Sequence, residues 1–85
     1  MKWEECSFVI SSKERKKIFL CLVKPKIPTE ISKELKKSVP QVSRTLKLFV
    51  NRGLVECKTP EAKKGRIYAL TKKGEELLEY FKEKD

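Results

Sequence analysis

Gln41 and Arg44 sit three residues apart in Ser38-Val39-Pro40-Gln41-Val42-Ser43-Arg44-Thr45-Leu46-Lys47. Their side chains are the types that bond a base edge at two points. A guanidinium donates to O6 and N7 of guanine, and a carboxamide pairs with N6 and N7 of adenine. Ser43 and Lys47, on the same stretch, suit phosphate contacts or a supporting base contact, and Ser38 and Pro40 open it. Lys36 and Lys37 just before it are placed for backbone phosphates. A second basic group follows: Lys63, Lys64 and Arg66 surround Gly65, which permits a tight reversal. Such a tip suits phosphates, or a minor groove, where Arg is favoured. Lys at the edge of a two-stranded sheet also blocks edge-to-edge aggregation, and both roles are open to these residues.

Other chemistries find little here. The chain has no His, the usual acid–base group near neutral pH. Its carboxylates fall in ordinary helical places, and no Gly-rich loop is present to cradle a phosphate. Cys6, Cys21 and Cys57 are odd in number and scattered, which argues against a disulfide framework and against a metal site. Cys21 and Cys57 are expected to be small buried hydrophobes, and Cys6, near the chain end, is a candidate redox-responsive thiol. No enzyme activity, metal or cofactor is expected.

The formal charge of +9 favours a polyanionic partner, nucleic acid before an anionic membrane surface. Its distribution sharpens this. Residues 27–74 hold 12 Lys and Arg against 4 Asp and Glu, whereas residues 75–85 hold 2 against 5. One basic face and one face turned away are implied. No run approaches the roughly 18 apolar residues of a membrane span, and Met1 to Glu5 does not resemble a signal peptide. A cytoplasmic location is expected. Abundant Lys and Glu with little Gln is a bias of hyperthermophile proteins.

At 85 residues a single domain over 1–85 is expected, since smaller pieces could not bury a core. Cys6 to Ile10 is a strand or a packed helical turn. Ser11-Ser12-Lys13-Glu14 has the form of a capping box, with Glu14 returning the bond. It opens a helix running to about Val23 with Ile18, Phe19 and Leu22 inward, stopped by Lys24-Pro25. Arg15, Lys16, Lys17, Lys24 and Lys26 are taken as solvated charge. A second helix spans 28–37 with Ile31 and Leu35 as its core pair, and either Ile27 or Thr29 caps it. The third has its own box, Ser38 to Gln41. Val39, Val42, Leu46 and Phe49 fall on its inner side, while Pro40, Arg44, Lys47 and Asn51 centre on the outer. Gly53 stands where a left-handed cap ends it. Strands at 54–59 and 66–71 join through the loop at 60–65, and Thr71 caps a last helix over 72–84.

Leu77, Leu78 and Phe81, with Tyr80 nearby, form an apolar seam on that last helix, and Trp3, Phe8 and Val9 add apolar surface at the other end. They pack together in one chain or form a dimer interface. The dimer is preferred, because paired reading helices meet half-sites about one helical turn apart.

Pro28 to Leu35, Val42-Ser43-Arg44-x-Leu46, Gly53-Leu54-Val55 and Tyr68-x-Leu70-Thr71-x-x-Gly74 resemble the winged helix-turn-helix transcriptional regulators. The similarity is greatest to small archaeal members related to the ArsR and MarR repressor groups, and covers about residues 11 to 81. It implies an α+β, mostly helical fold. The parts would be a three-helix core, a helix-turn-helix over about 28–53, a two-stranded hairpin wing over about 54–71 and a C-terminal helix. It also implies that the helix at 39–52 is the recognition helix, with Gln41, Ser43, Arg44 and Lys47 at reading positions and Lys63, Lys64 and Arg66 at the wing tip. The chain lacks the paired-Cys motif of ArsR-type metal sensors and the long dimerisation helices of MarR-type proteins, whose effector pocket lies between them. No small-molecule effector is therefore expected. Ile27 stands where the family often has a capping Ser or Thr.

The function expected is sequence-specific binding of double-stranded DNA by a homodimeric transcriptional regulator. The reading helix would enter the major groove, and the wing would lie on the flanking backbone or minor groove. The alternatives are a winged-helix protein-interaction module, or a nonspecific DNA-binding one, in a transcription, replication or chromatin assembly.

Overall fold

A computed structural model describes residues 3–63 and 65–84, without the side chains of residues 3–5, 83 and 84. The elements run α1 (Trp3–Ile10), α2 (Lys13–Cys21), α3 (Pro28–Leu35), α4 (Val39–Asn51), β1 (Val55–Cys57), β2 (Tyr68–Leu70) and α5 (Lys72–Lys84). The N-terminal apolar run is thus helical, and Val9 and Cys6 are its buried residues.

The start signals act, but not as reciprocal boxes. Ser12 Oγ accepts from Arg15 N at 3.4 Å, which places the cap one residue later than a Ser11–Glu14 box needs and leaves Glu14 free for other partners. Ser38 Oγ accepts from Gln41 N at 3.3 Å, yet the Gln41 side chain is used elsewhere. At α3 the cap position is Ile27, which has no side-chain acceptor, so only the return bond forms, Ile27 N to Glu30 Oε1 at 3.1 Å.

Helix ends come earlier than the apolar periodicity alone implies. α2 stops at Cys21, with Leu22 N bonded back to Phe19 O. α3 stops at Leu35 because Lys36 turns left-handed at φ 56°, ψ 46°, and Lys37 N closes on Ser32 O at 3.0 Å. α4 ends as expected, with Gly53 at φ 75°.

Four phenylalanines connect the helices. Phe49 of α4 meets Phe8 of α1 edge-on at 6.0 Å and Phe19 of α2 at 5.6 Å, and Phe19 in turn meets Phe81 of α5 at 5.9 Å. Edge-to-face contacts of this kind add roughly 0.5–1.5 kcal/mol each beyond the area they bury. Ile31, Val42, Leu46 and Leu54 fill in around them with no exposed surface.

β1 and β2 pair antiparallel, with Val55 opposite Leu70 and Cys57 opposite Tyr68. The strands are shorter than the 54–59 and 66–71 expected. Beyond Cys57 one bond continues, Lys58 N to Ile67 O at 2.7 Å, and then the Thr59 side chain replaces the backbone as acceptor for Ile67 N. The other edge of β2 is occupied too. Lys26 and Tyr68 exchange both backbone bonds, at 3.0 and 2.8 Å, so the segment before α3 anchors the hairpin to the helices. α5 begins with Thr71 Oγ1 accepting from Gly74 N at 3.2 Å, as expected of its cap.

Leu77, Leu78 and Phe81 are only 1%, 7% and 6% exposed within the single chain. The seam expected to face a second copy is therefore already packed on this chain's own sheet and helices. Tyr80 and Phe8 are half-buried, and the Trp3 side chain lies outside the described residues. Cys6 is 4% exposed, so the candidate redox thiol is shut inside the core, without the solvent access that oxidation needs. Cys21 and Cys57 are half-buried rather than buried.

Candidate nucleic-acid interface

α4 carries its basic groups on one stripe because Pro40, Arg44, Lys47 and Asn51 recur within about 60° of one another at 100° per residue. All four are exposed, and the opposite side buries Val42, Leu46 and Phe49. The burial of that inner side fixes the direction of the basic stripe. At 13 residues the helix is about 20 Å long, enough to lie along a major groove about 12 Å wide.

The hairpin stands beside it. A cleft of about 570 Å³ opens between them, lined by Ser43 and Lys47 of α4, Lys63, Gly65 and Arg66 of the hairpin loop, and Pro28, Thr29, Val39 and Tyr68. Four of the sequence-predicted residues (Ser43, Lys47, Lys63 and Arg66) thus share one concavity, although 16 residues separate Lys47 from Lys63 in the chain. Gly65 turns at φ 66°, and nothing would meet a Cβ there, so its backbone conformation is what calls for glycine. Arg66 is held from behind, its Nε donating to Ala62 O at 2.7 Å. The guanidinium keeps further donors beyond that bond.

The remaining predicted residues divide. Ser38, Pro40, Arg44 and Lys36 are exposed around the start and outer face of α4. Lys37 and Gln41 are taken up within the chain: Glu14 of α2 accepts from Lys37 Nζ at 3.0 Å through Oε1 and from Gln41 Nε2 at 2.8 Å through Oε2. These bonds, Lys37 first, hold the Glu14 carboxyl below the ordinary glutamate range. Lys64 lies outside the described residues.

Val39 corrects the expectation for the inner side. It is 39% exposed and lines the cleft. Its angle matches Leu46, but angle alone does not say whether a neighbour stands opposite, and at the first residue of α4 none covers it. A branched apolar side chain there suits a thymine methyl. Thr29 and Tyr68 carry no sequence signal of their place in the cleft, because it depends on how α3 and the hairpin dock. The Lys26–Tyr68 bridge sets that docking, and no local signal announces it.

A second polar cluster lies away from the cleft. Lys26 Nζ meets both Glu34 oxygens at 2.8 and 2.9 Å, and the Cys21 thiol lies near enough to feel the same carboxylate. Burial, then Glu34, pushes the Cys21 thiol up, which makes it a poor nucleophile. Among the described residues no group of three or more metal-ligating side chains gathers, and no helix is long and apolar enough to cross a membrane.

Solved structures resemble this fold. A mutant of TubR, of type III plasmid segregation, superposes with a TM-score of 0.79 at 20% identity, covering 95% of this chain and 88% of that one. The fold is a winged helix. The reduced form of MarR from E. coli superposes with a TM-score of 0.71 at 25% identity, covering 89% of this chain. Wild-type MarR in its apo form gives 0.68 at the same identity. The chain spans about 58% of the reduced MarR's length. A scan against protein-family models finds no match, and a search of curated proteins finds none.

Proposed function

We propose that this chain binds double-stranded DNA in a sequence-specific manner as a transcriptional regulator, with α4 in the major groove and the wing on the flanking backbone or minor groove. The observation that carries the reading is the cleft shared by Ser43, Lys47, Lys63 and Arg66, with Arg44 exposed on the same helix. A duplex backbone entering it meets cations from both the helix and the wing. The sequence resemblance to winged helix-turn-helix regulators, of the archaeal, ArsR- and MarR-related kind, supports the same reading, as does the structural likeness to MarR and TubR. Binding and not catalysis is the role, and the chain acts as one domain. A homodimer would place two α4 helices on half-sites about 10 bp apart. Its interface would draw on Trp3, Phe8 and Tyr80, and on Leu77, Leu78 and Phe81 of α5 to the extent that they are not already covered within the chain.

The burial of those three favours a second reading, a monomeric winged-helix module that coats DNA without preference or docks a protein partner in a larger assembly. Selection from a random-duplex pool at near-physiological salt separates the two. Recovery of a palindrome supports the dimeric regulator. Binding without enrichment that collapses as salt rises supports phosphate contact alone.

A further inference from the structure

We propose that Glu14 is a specificity-determining positioning residue: it fixes the amide of Gln41 so that the reading helix prefers adenine at one position. The proposal rests on α4 reading DNA as set out above. Glu14 belongs to α2 and is 27 residues from Gln41 in sequence, yet its Oε2 lies 2.8 Å from Gln41 Nε2.

A carboxylate only accepts hydrogen bonds, so the nitrogen of the amide, never its oxygen, must face Glu14. The bond therefore removes the two-fold ambiguity of a free carboxamide. One Nε2 hydrogen is committed, while the second and Oε1 remain for a ligand. Adenine requires that pair, an acceptor for N6–H and a donor for N7. An amide free to turn offers other donor and acceptor patterns as readily, so the preference comes from the fixed orientation as much as from Gln41 itself.

The same carboxylate binds Lys37 at 3.0 Å. That contact holds Glu14 in place from a second side, and it also withdraws a cation from the DNA-facing turn. A negative charge beside the reading helix opposes phosphates generally. Glu14 thus lowers affinity for any duplex while sharpening the choice among duplexes, which is how discrimination against wrong partners is built.

The test compares wild type, Glu14→Ala, Glu14→Gln and Gln41→Ala in the same random-duplex selection, with thermal melts to confirm that each folds. The wild type should favour adenine at one base pair by about five- to 150-fold, the range of a good bidentate contact. Gln41→Ala should lose that preference. Both Glu14 variants should lose it at the same position and keep the others. Glu14→Ala should also bind random duplex more tightly, with a log–log salt slope steeper by about 0.9 as Lys37 becomes available to a phosphate. A merely structural role would weaken all sequences together and leave the pattern of preference unchanged. If the wild type selects a site and both Glu14 variants select the same one at every position, the role of Glu14 is overturned and the DNA reading stands. If the wild type selects nothing, the DNA-reading premise falls and takes the proposal with it.

Discussion

Gly74 lies so close to Leu54 that a Cβ on it would stand 2.1 Å from the Leu54 carbonyl oxygen. The contact is between backbones, where α5 begins against the entry to β1, and Thr71 N donates to the same oxygen at 3.0 Å. In an exposed helix, Gly→Ala gains about 1 kcal/mol. Here the added methyl meets the Leu54 backbone first, which a side-chain movement cannot relieve. Gly74→Ala should instead destabilise by about 1–3 kcal/mol, as overpacking does. For a chain of this size that lowers the melting temperature by roughly 4–8 °C per kcal/mol, which thermal unfolding followed by circular dichroism would detect. An unchanged or raised melting temperature would mean that α5 and β1 separate easily.

Lys36 gives the opposite prediction. It holds a left-handed conformation, φ 56°, in the turn between α3 and α4, where a Cβ costs roughly 1–2 kcal/mol. Lys36→Gly removes that strain and gives back part of the gain to the more flexible unfolded chain. A net stabilisation of about 1 kcal/mol is expected in denaturant titration. The same variant should bind random DNA more weakly through loss of a cation, so stability and affinity move in opposite directions.

The contrast between Lys36 and Gly53 shows what the sequence discloses. Gly53 announces the end of α4 by its residue type, and the amphipathic pattern of Val42, Leu46 and Phe49 fixes which side of that helix faces solvent. Those local signals were enough for the order of elements and for the basic stripe. Lys36 takes the same left-handed role with no compositional signal at all. Contacts between distant segments were equally silent: the Lys26–Tyr68 bridge, the place of Val39 in the cleft, and Glu14 turning from its own helix cap to Lys37 and Gln41. A capping motif states what a side chain can bond, and tertiary packing decides which partner it takes. The apolar seam of α5 is a different case. Periodicity identified Leu77, Leu78 and Phe81 as buried positions but could not say whether the same chain or a second one buries them.

Two carboxylates make the fold sensitive to acid. Glu14 is held below the ordinary glutamate range first by its hydrogen bond to Lys37, and Glu34 by its bond to Lys26. Each is ionised more readily folded than unfolded. Their contributions are thus complete above the unfolded glutamate value and are lost as pH falls through the lower folded one. Both groups are exposed, so the effect is modest and weakens with added salt. Thermal melts taken from neutral pH into the acid range should show the melting temperature falling less steeply for Glu14→Gln with Glu34→Gln than for wild type. Parallel curves would show that other carboxylates govern the acid limb.

Arg44 and Lys63 should separate reading from holding. Arg44 is exposed on the outer stripe of α4, where a guanidinium can pair with guanine, whereas Lys63 lines the cleft from the wing, where a backbone would pass. Arg44→Ala should cost about 1–3 kcal/mol on the selected site and relax the preference at one base pair. Lys63→Ala should weaken selected and random duplexes about equally and reduce the salt slope by about 0.9, the loss of one phosphate contact. Neither side chain is buried, so neither change should alter the melting temperature by more than surface substitutions do, within about 0.5 kcal/mol. Titration of both variants on both duplexes at three salt concentrations yields all of these quantities. Equal losses from Arg44→Ala on selected and random DNA would demote Arg44 to a phosphate contact and move the reading role toward Gln41. A base preference lost with Lys63→Ala would place the wing in a groove instead of on the backbone.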